Sequence, residues 1–301
     1  MKAAGFSLIE LMLAMALGLM LGAAALGLLQ LGQRGVQRAG LETRLQQDAM
    51  TAFALLSEDL RAVGASPCPR GRPVSSLIAD GPDRWWRDWQ RPLQGVDGRS
   101  VGAAAGTDAL RFTAVTGPAV ELLGHDPMAQ RLRLAHSLAA EPDPVVVVCD
   151  LEQSTLLQVR GAGSSLRYSA GGLNRCGRPG HAPSACGDGI YQYPANAMVA
   201  PLQVLQWSVR SNGRGGRSLY RAQMQAGGRL ENAEMVEAVE GLRLRYLERG
   251  TTFRSAAAVT DWGAVRAVEV VLTFAADESM LALPESRRQL QFVVALHGQL
   301  E

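Results

Sequence analysis

Lysine is almost missing from this 301-residue sequence: Lys2 is the only one, so nearly all of the 30 basic residues are arginine. Set against 28 acids they leave a formal charge of +2 at pH 7, which makes no general case for a nucleic-acid coat. Proline is absent before Pro67, and no charged or strongly polar residue occurs between Leu11 and Leu29. Also missing are the string H-E-x-x-H, the phosphate-binding Gly/Lys loop and the dinucleotide glycine fingerprint. His125, His136, His181 and His297 are scattered, and no spacing gathers them with Ser or Asp into a triad. The Asp80-Gly-Pro-Asp83 stretch is too short for a calcium loop. These absences argue against an enzyme and against a cofactor.

What is present begins with the run from Leu11 to Leu29. Nineteen helical residues reach roughly 28 Å, about the thickness of a hydrocarbon core. One carboxylate, Glu10, stands at its mouth. A charge inside such a helix costs about 2.5–3.5 kcal/mol and less near an end, so the position is tolerable but asks for a partner. A cleaved secretory signal fits poorly, because the run is long and Glu10 interrupts its start. A plain anchor is the other simple reading, yet Lys2 on one side and Arg34, Arg38 and Arg44 on the other leave its orientation undecided.

The string KAAGFSLIELMLAMALG resembles the class III leader of type IV pilins and type II secretion pseudopilins. The resemblance implies cleavage between Gly5 and Phe6 by a prepilin peptidase and N-methylation of Phe6. It also implies a role for Glu10 in assembly, where the carboxylate meets the free amine of a neighbouring subunit inside a helix bundle. An ion pair there satisfies a carboxylate that would cost several kcal/mol if buried alone, and it fixes axial register.

Beyond the run, Leu41, Leu45, Ala49, Ala52, Phe53, Leu56, Leu60 and Val63 recur in steps of three and four, on one helical face. Arg44, Gln47, Asp48, Glu58, Asp59 and Arg61 fall mostly elsewhere, and Gly64 with Ser66-Pro67 is a stop. Residues 6–63 therefore predict one helix of about 85 Å, apolar all round and then amphipathic. Glycines weaken it by about 1 kcal/mol each relative to Ala, and Gly18 and Gly22 form a G-x-x-x-G pair suited to close helix approach. Strand signals follow at 108–115, 144–150, 154–161, 202–210, 218–225, 241–248, 265–274 and 289–298, several with period two. The stretch 62–107 reads as loop-rich, with Trp85, Trp86 and Trp89 covering sheet edges or core. The fold class is α+β, an antiparallel sheet on one long helix.

Four cysteines, Cys68, Cys149, Cys176 and Cys186, allow three connectivities. Cys176–Cys186 closes a Gly/Pro loop and is favoured, with Cys68–Cys149 as the remaining pair. The rival is zinc held by Cys176, His181 and Cys186, a spacing that matches no common zinc module.

The segments FALLSEDLRAVGASPC, VVVVCDLEQSTLLQVRG and MVEAVEGLRLRYLERG resemble, in order, the PilW family of minor type IV pilins, itself similar to the GspJ pseudopilin. This resemblance implies a pilin-like fold divided into a leader (1–5), a transmembrane and filament-core helix (6–31), its amphipathic continuation (32–64) and an exported β-rich domain (65–301). It implies an inner-membrane, single-pass protein with a periplasmic domain, which later reaches the pilus tip. The implied partners are other minor pilins, the major pilin, the prepilin peptidase and the inner-membrane assembly platform.

Overall fold

The structure, a computed structural model, describes residues 8–275 and 288–296 apart from positions 70, 82, 83, 90, 116, 141, 162 and 188. The helix α1 runs Leu8–Arg61, 54 residues without a proline. At 1.5 Å per residue it spans about 81 Å. Its last turn tightens, with Val63 N–H donating to Leu60 O at 3.2 Å. The chain then leaves through Gly64 at φ +69°, a left-handed conformation in which a Cβ would be strained.

Fourteen strands follow. They are β1 (Val74–Ser76), β2 (Leu93–Asp97), β3 (Asp108–Val115), β4 (Val120–Asp126), β5 (Arg131–Leu134), β6 (Val145–Cys149) and β7 (Ser154–Gln158). Then come β8 (Ser165–Arg167), β9 (Met198–Ser211), β10 (Arg217–Met224), β11 (Leu230–Glu237), β12 (Val239–Leu247), β13 (Ala267–Phe274) and β14 (Gln289–Ala295). Eleven of them form one branched sheet, and β12-β13-β14 form a second. The α+β class read from the sequence is the class observed.

Strand β9 organises the large sheet. Its first residues, Met198–Pro201, pair with β6, and its remainder pairs with β3 on one side and β10 on the other. Pro201 cannot donate to a ladder, and it stands where β9 changes partners. The Val145–Val148 run is buried on both faces. Val146 and Val148 join Leu157 and Tyr193 in one core, while Val145 and Val147 join Trp86 and Leu156 in another. A strand covered on both sides needs apolar residues at consecutive positions, which explains four valines in a row.

The third core lies between the two sheets and receives the end of α1. Ala52, Leu56, Leu60 and Val63 pack with Phe112, Trp207, Leu244, Val270 and Phe274. Phe53 meets Phe292 of β14 edge-on at 4.9 Å. Gly95 of β2 lies so close under the ring of Tyr246 that a Cβ there would collide with it. Any larger residue would therefore push the sheets apart.

The stretch 62–107 is loop-rich as expected, holding only β1, β2 and two short 3-10 helices. Two expectations need correction. The sheet is not wholly antiparallel, because β1 pairs parallel with β7. Asp59 does not lie off the apolar face: its carboxylate turns inward and accepts from Trp207 Nε1 at 2.8 Å and from Arg221 Nε at 2.7 Å. On a helical wheel it falls beside Ala52 and Val63, so position alone sends it to the sheet.

Candidate functional site

The residues Leu8–Gln30 form a helical segment long and apolar enough to cross a membrane, and none of it is buried by the rest of the chain. Ile9, Leu19 and Leu28 are each more than 70 % exposed. A continuous apolar cylinder of this size cannot remain against water, so lipid or other helices must cover it. Gly18, Gly22, Gly27 and Gly32 have no neighbour within 4 Å of the place a Cβ would occupy. Nothing among the described residues therefore crowds them. Glu10 lies among the first described residues of α1. Gly5 and Phe6 lie outside the described residues.

From Leu45 onward the helix belongs to the domain. Arg44 reaches Glu237 at 3.7 Å, and Leu45 and Ala49 pack on the inter-sheet core. The boundary between exposed apolar helix and docked amphipathic helix thus falls between Gln30 and Leu45.

Two disulfides brace the domain. Cys68–Cys149 ties the segment after α1 to β6, and Cys176–Cys186 closes the Gly/Pro loop. The second bond takes up two of the three sulfur and nitrogen ligands that a zinc site would need. His181 instead stands edge-on to Tyr191 at 5.2 Å. In the chain-entropy account a crosslink over 81 residues stabilises more than one over 10, by about 2 kcal/mol. Cys68→Ser with Cys149→Ser is therefore expected to lower the urea midpoint more than the paired substitution at 176 and 186. Equal shifts would contradict this.

His125 is the one buried histidine among the described residues, at 6 % exposure. Its Nδ1 accepts from the Tyr193 amide at 3.0 Å, so the proton must sit on Nε2, which donates to Tyr168 Oη at 2.5 Å. Beyond them Tyr193 Oη donates to Thr155 Oγ1 at 2.6 Å. Both ring nitrogens have protein partners, so this is a structural histidine rather than a general base. Burial, opposed by the nearby Asp126 carboxylate, lowers its pKa to about 4. Protonation would also set a second proton against the Tyr193 amide. Burial likewise pushes the Tyr168 and Tyr193 hydroxyls up.

This histidine makes stability depend on pH. The unfolded chain takes up the proton near pH 6.5 and the folded chain only near 4, so stability is complete above 6.5 and declines as pH falls through that window. Between pH 7 and 5 the loss is on the order of 1–2 kcal/mol after discounting for solvent screening. Urea unfolding at both pH values is expected to show this extra loss in the wild type and not in His125→Gln. Parallel losses in both would refute the assignment.

The family described as the prokaryotic N-terminal methylation motif matches residues 1–26. Comparison with proteins of curated function finds no match. The matched segment covers the leader and most of the exposed apolar helix. The methylation motif, the membrane-length helix and the large sheet domain behind it support a type IV pilin or pseudopilin in general, held in a membrane by α1.

Proposed function

We propose that this chain is a minor type IV pilin of the PilW kind, which helps prime pilus assembly and takes a place in the tip complex. The observation that carries the proposal is the uncovered apolar stretch of α1 joined directly to a prepilin-type leader. The leader, residues 1–5, is removed between Gly5 and Phe6, and Phe6 is methylated. Residues 6–31 then lie in the inner membrane and later in the filament core. Residues 32–64 carry the helix onto the domain, and 65–301 form the periplasmic and finally surface-exposed part. Glu10 pairs with the amino terminus of a neighbour. The partners are other minor pilins, the major pilin, the peptidase and the assembly platform.

A structural role agrees with the chemistry of the domain, whose buried His125 and tyrosines are engaged with one another. Type II secretion, through a GspJ-like place in a pseudopilus, is the competing reading within the class. A clean deletion separates them. A priming subunit leaves few surface pili, with partial recovery when retraction is also disabled. Normal piliation with lost protein secretion would assign the chain to the secretion system instead.

A further inference from the structure

A groove of about 630 Å³ opens near the C-terminal end of α1, at the far end of that helix from its apolar segment. Pro67 and Pro69, on the chain that leaves the helix, form one wall. The turn between β6 and β7 forms another with Asp150, Leu151 and Glu152, and Tyr191 and Met198 line the space between them. Leu151 projects from that turn and is 75 % exposed. Apolar walls thus flank two carboxylates, in a place that stays open when lipid or other helices cover the apolar part of α1.

The acids are held in place before any partner arrives. Asp150 Oδ1 accepts from the Glu152 and Gln153 amides at 2.8 and 2.9 Å, which fixes the turn. Tyr191 Oη lies 2.6 Å from Asp150 Oδ2 and 3.2 Å from Glu152 Oε2. A hydroxyl has one proton, so it satisfies one of these oxygens and leaves the other. Among the described residues no basic side chain forms an ion pair with either acid, and none lines the groove. The Tyr191 ring meets His181 and Tyr193 edge-on, at 5.2 and 4.9 Å. The Cys68–Cys149 bond braces the proline wall against β6, and Cys176–Cys186 closes the loop that carries His181. A negative site with walls fixed in this way loses little freedom on binding.

We infer that this groove docks an arginine-bearing segment of a partner protein, with the guanidinium on Asp150 and Glu152 and the apolar neighbours of that arginine against Leu151, Met198 and the two prolines. Charge complementarity sets the sign of the occupant, and the walls set the rest. A guanidinium offers five donors in a planar fork that matches carboxylates, and it is less strongly hydrated than an ammonium. Arginine therefore suits a site walled by proline and methionine better than lysine does, and its aliphatic stem can lie along those walls. The volume suits several residues of an extended segment rather than one side chain. A bare divalent cation fits less well. Calcium takes six to eight oxygens, Asp150 Oδ1 is already turned to backbone amides, and no metal-holding group of three acids, histidines or cysteines occurs among the described residues.

The test uses the full chain in detergent micelles and a fluorescein-labelled peptide, Ala-Pro-Leu-Arg-Leu-Pro-Ala, with two further forms that carry lysine or glutamine in place of the arginine. Fluorescence anisotropy is expected to show saturable, salt-weakened binding of the arginine peptide at submillimolar concentration, weaker binding of the lysine form and none of the glutamine form. Glu152→Gln keeps the backbone amide that the turn uses, and it is expected to weaken the arginine peptide about tenfold, as the loss of one charge-assisted contact does. Leu151→Ser is expected to weaken it through the apolar wall, with the salt dependence retained. Glu58→Gln, at an exposed position of α1, should leave it unchanged. No binding at millimolar peptide, equal binding of the lysine or glutamine form, or unchanged affinity in Glu152→Gln would overturn the inference. Calcium that displaces the peptide at micromolar concentration would overturn it in favour of a cation site. The readout does not depend on piliation, so it can fail while the pilin reading stands.

Discussion

Asp59→Leu is expected to destabilise the folded domain by about 3–5 kcal/mol, the usual result of removing one partner from a buried ion pair. The carboxylate is a polar link between helix and sheet. Oδ2 accepts from Trp207 Nε1 and Arg221 Nε, and Oδ1 accepts from Arg221 Nη2 at 3.1 Å. Both side chains of the pair are largely shielded, at 14 % and 23 % exposure. Leucine leaves the Arg221 charge without its partner and the Trp207 N–H without an acceptor, next to an apolar core that cannot replace either. The double variant Asp59→Leu, Arg221→Leu is expected to recover much of the loss, because no orphan charge remains. Urea unfolding of both variants followed by tryptophan fluorescence checks this. An Asp59→Leu midpoint close to wild type would show that the pair is decorative.

Glu10→Leu should have the largest effect on assembly. Were Glu10 a merely tolerated polar residue, leucine would insert better and assemble equally well. In the proposed pairing, the substitution removes the acceptor for a neighbour's amino terminus and leaves a charged amine in a dry bundle. At about 3–5 kcal/mol for a pair broken from one side, incorporation falls about a hundredfold or more. Cleavage after Gly5 survives, since the cut site is untouched. Immunoblots of sheared pili and of membranes are expected to show mature protein in the membrane and almost none in the filament. Wild-type amounts in the filament would refute the pairing.

Much of this architecture is legible from the residues because local and tertiary preferences agree. The 54-residue helix follows from apolar steps of three and four with no proline, and β12 follows from the alternation of Leu242, Leu244 and Tyr246. The short strands β1 and β8, three residues each, lack enough sequence for a period to register. The parallel pairing of β1 with β7 is a long-range fact: Val74 meets Ser154 across 80 positions, and nothing local encodes it. The inward position of Asp59 is hidden for a different reason. A charge is ordinarily assigned to solvent, and only the later arrival of Arg221 and Trp207, from strands far along the chain, makes its inward position favourable.

The pilin reading is tested most directly at the amino terminus, where the methylation motif, residues 1–26, takes in most of an apolar helix that the described residues leave bare. Mass spectrometry of the protein purified from its native membrane reads this in one step. The account predicts a mature chain that begins at Phe6 and carries a single methyl group on its amine. A terminus at Leu26 or any later residue would instead make the segment an ordinary secretory signal, and an intact Met1 would mean that no prepilin peptidase acts on it; either result would contradict the account.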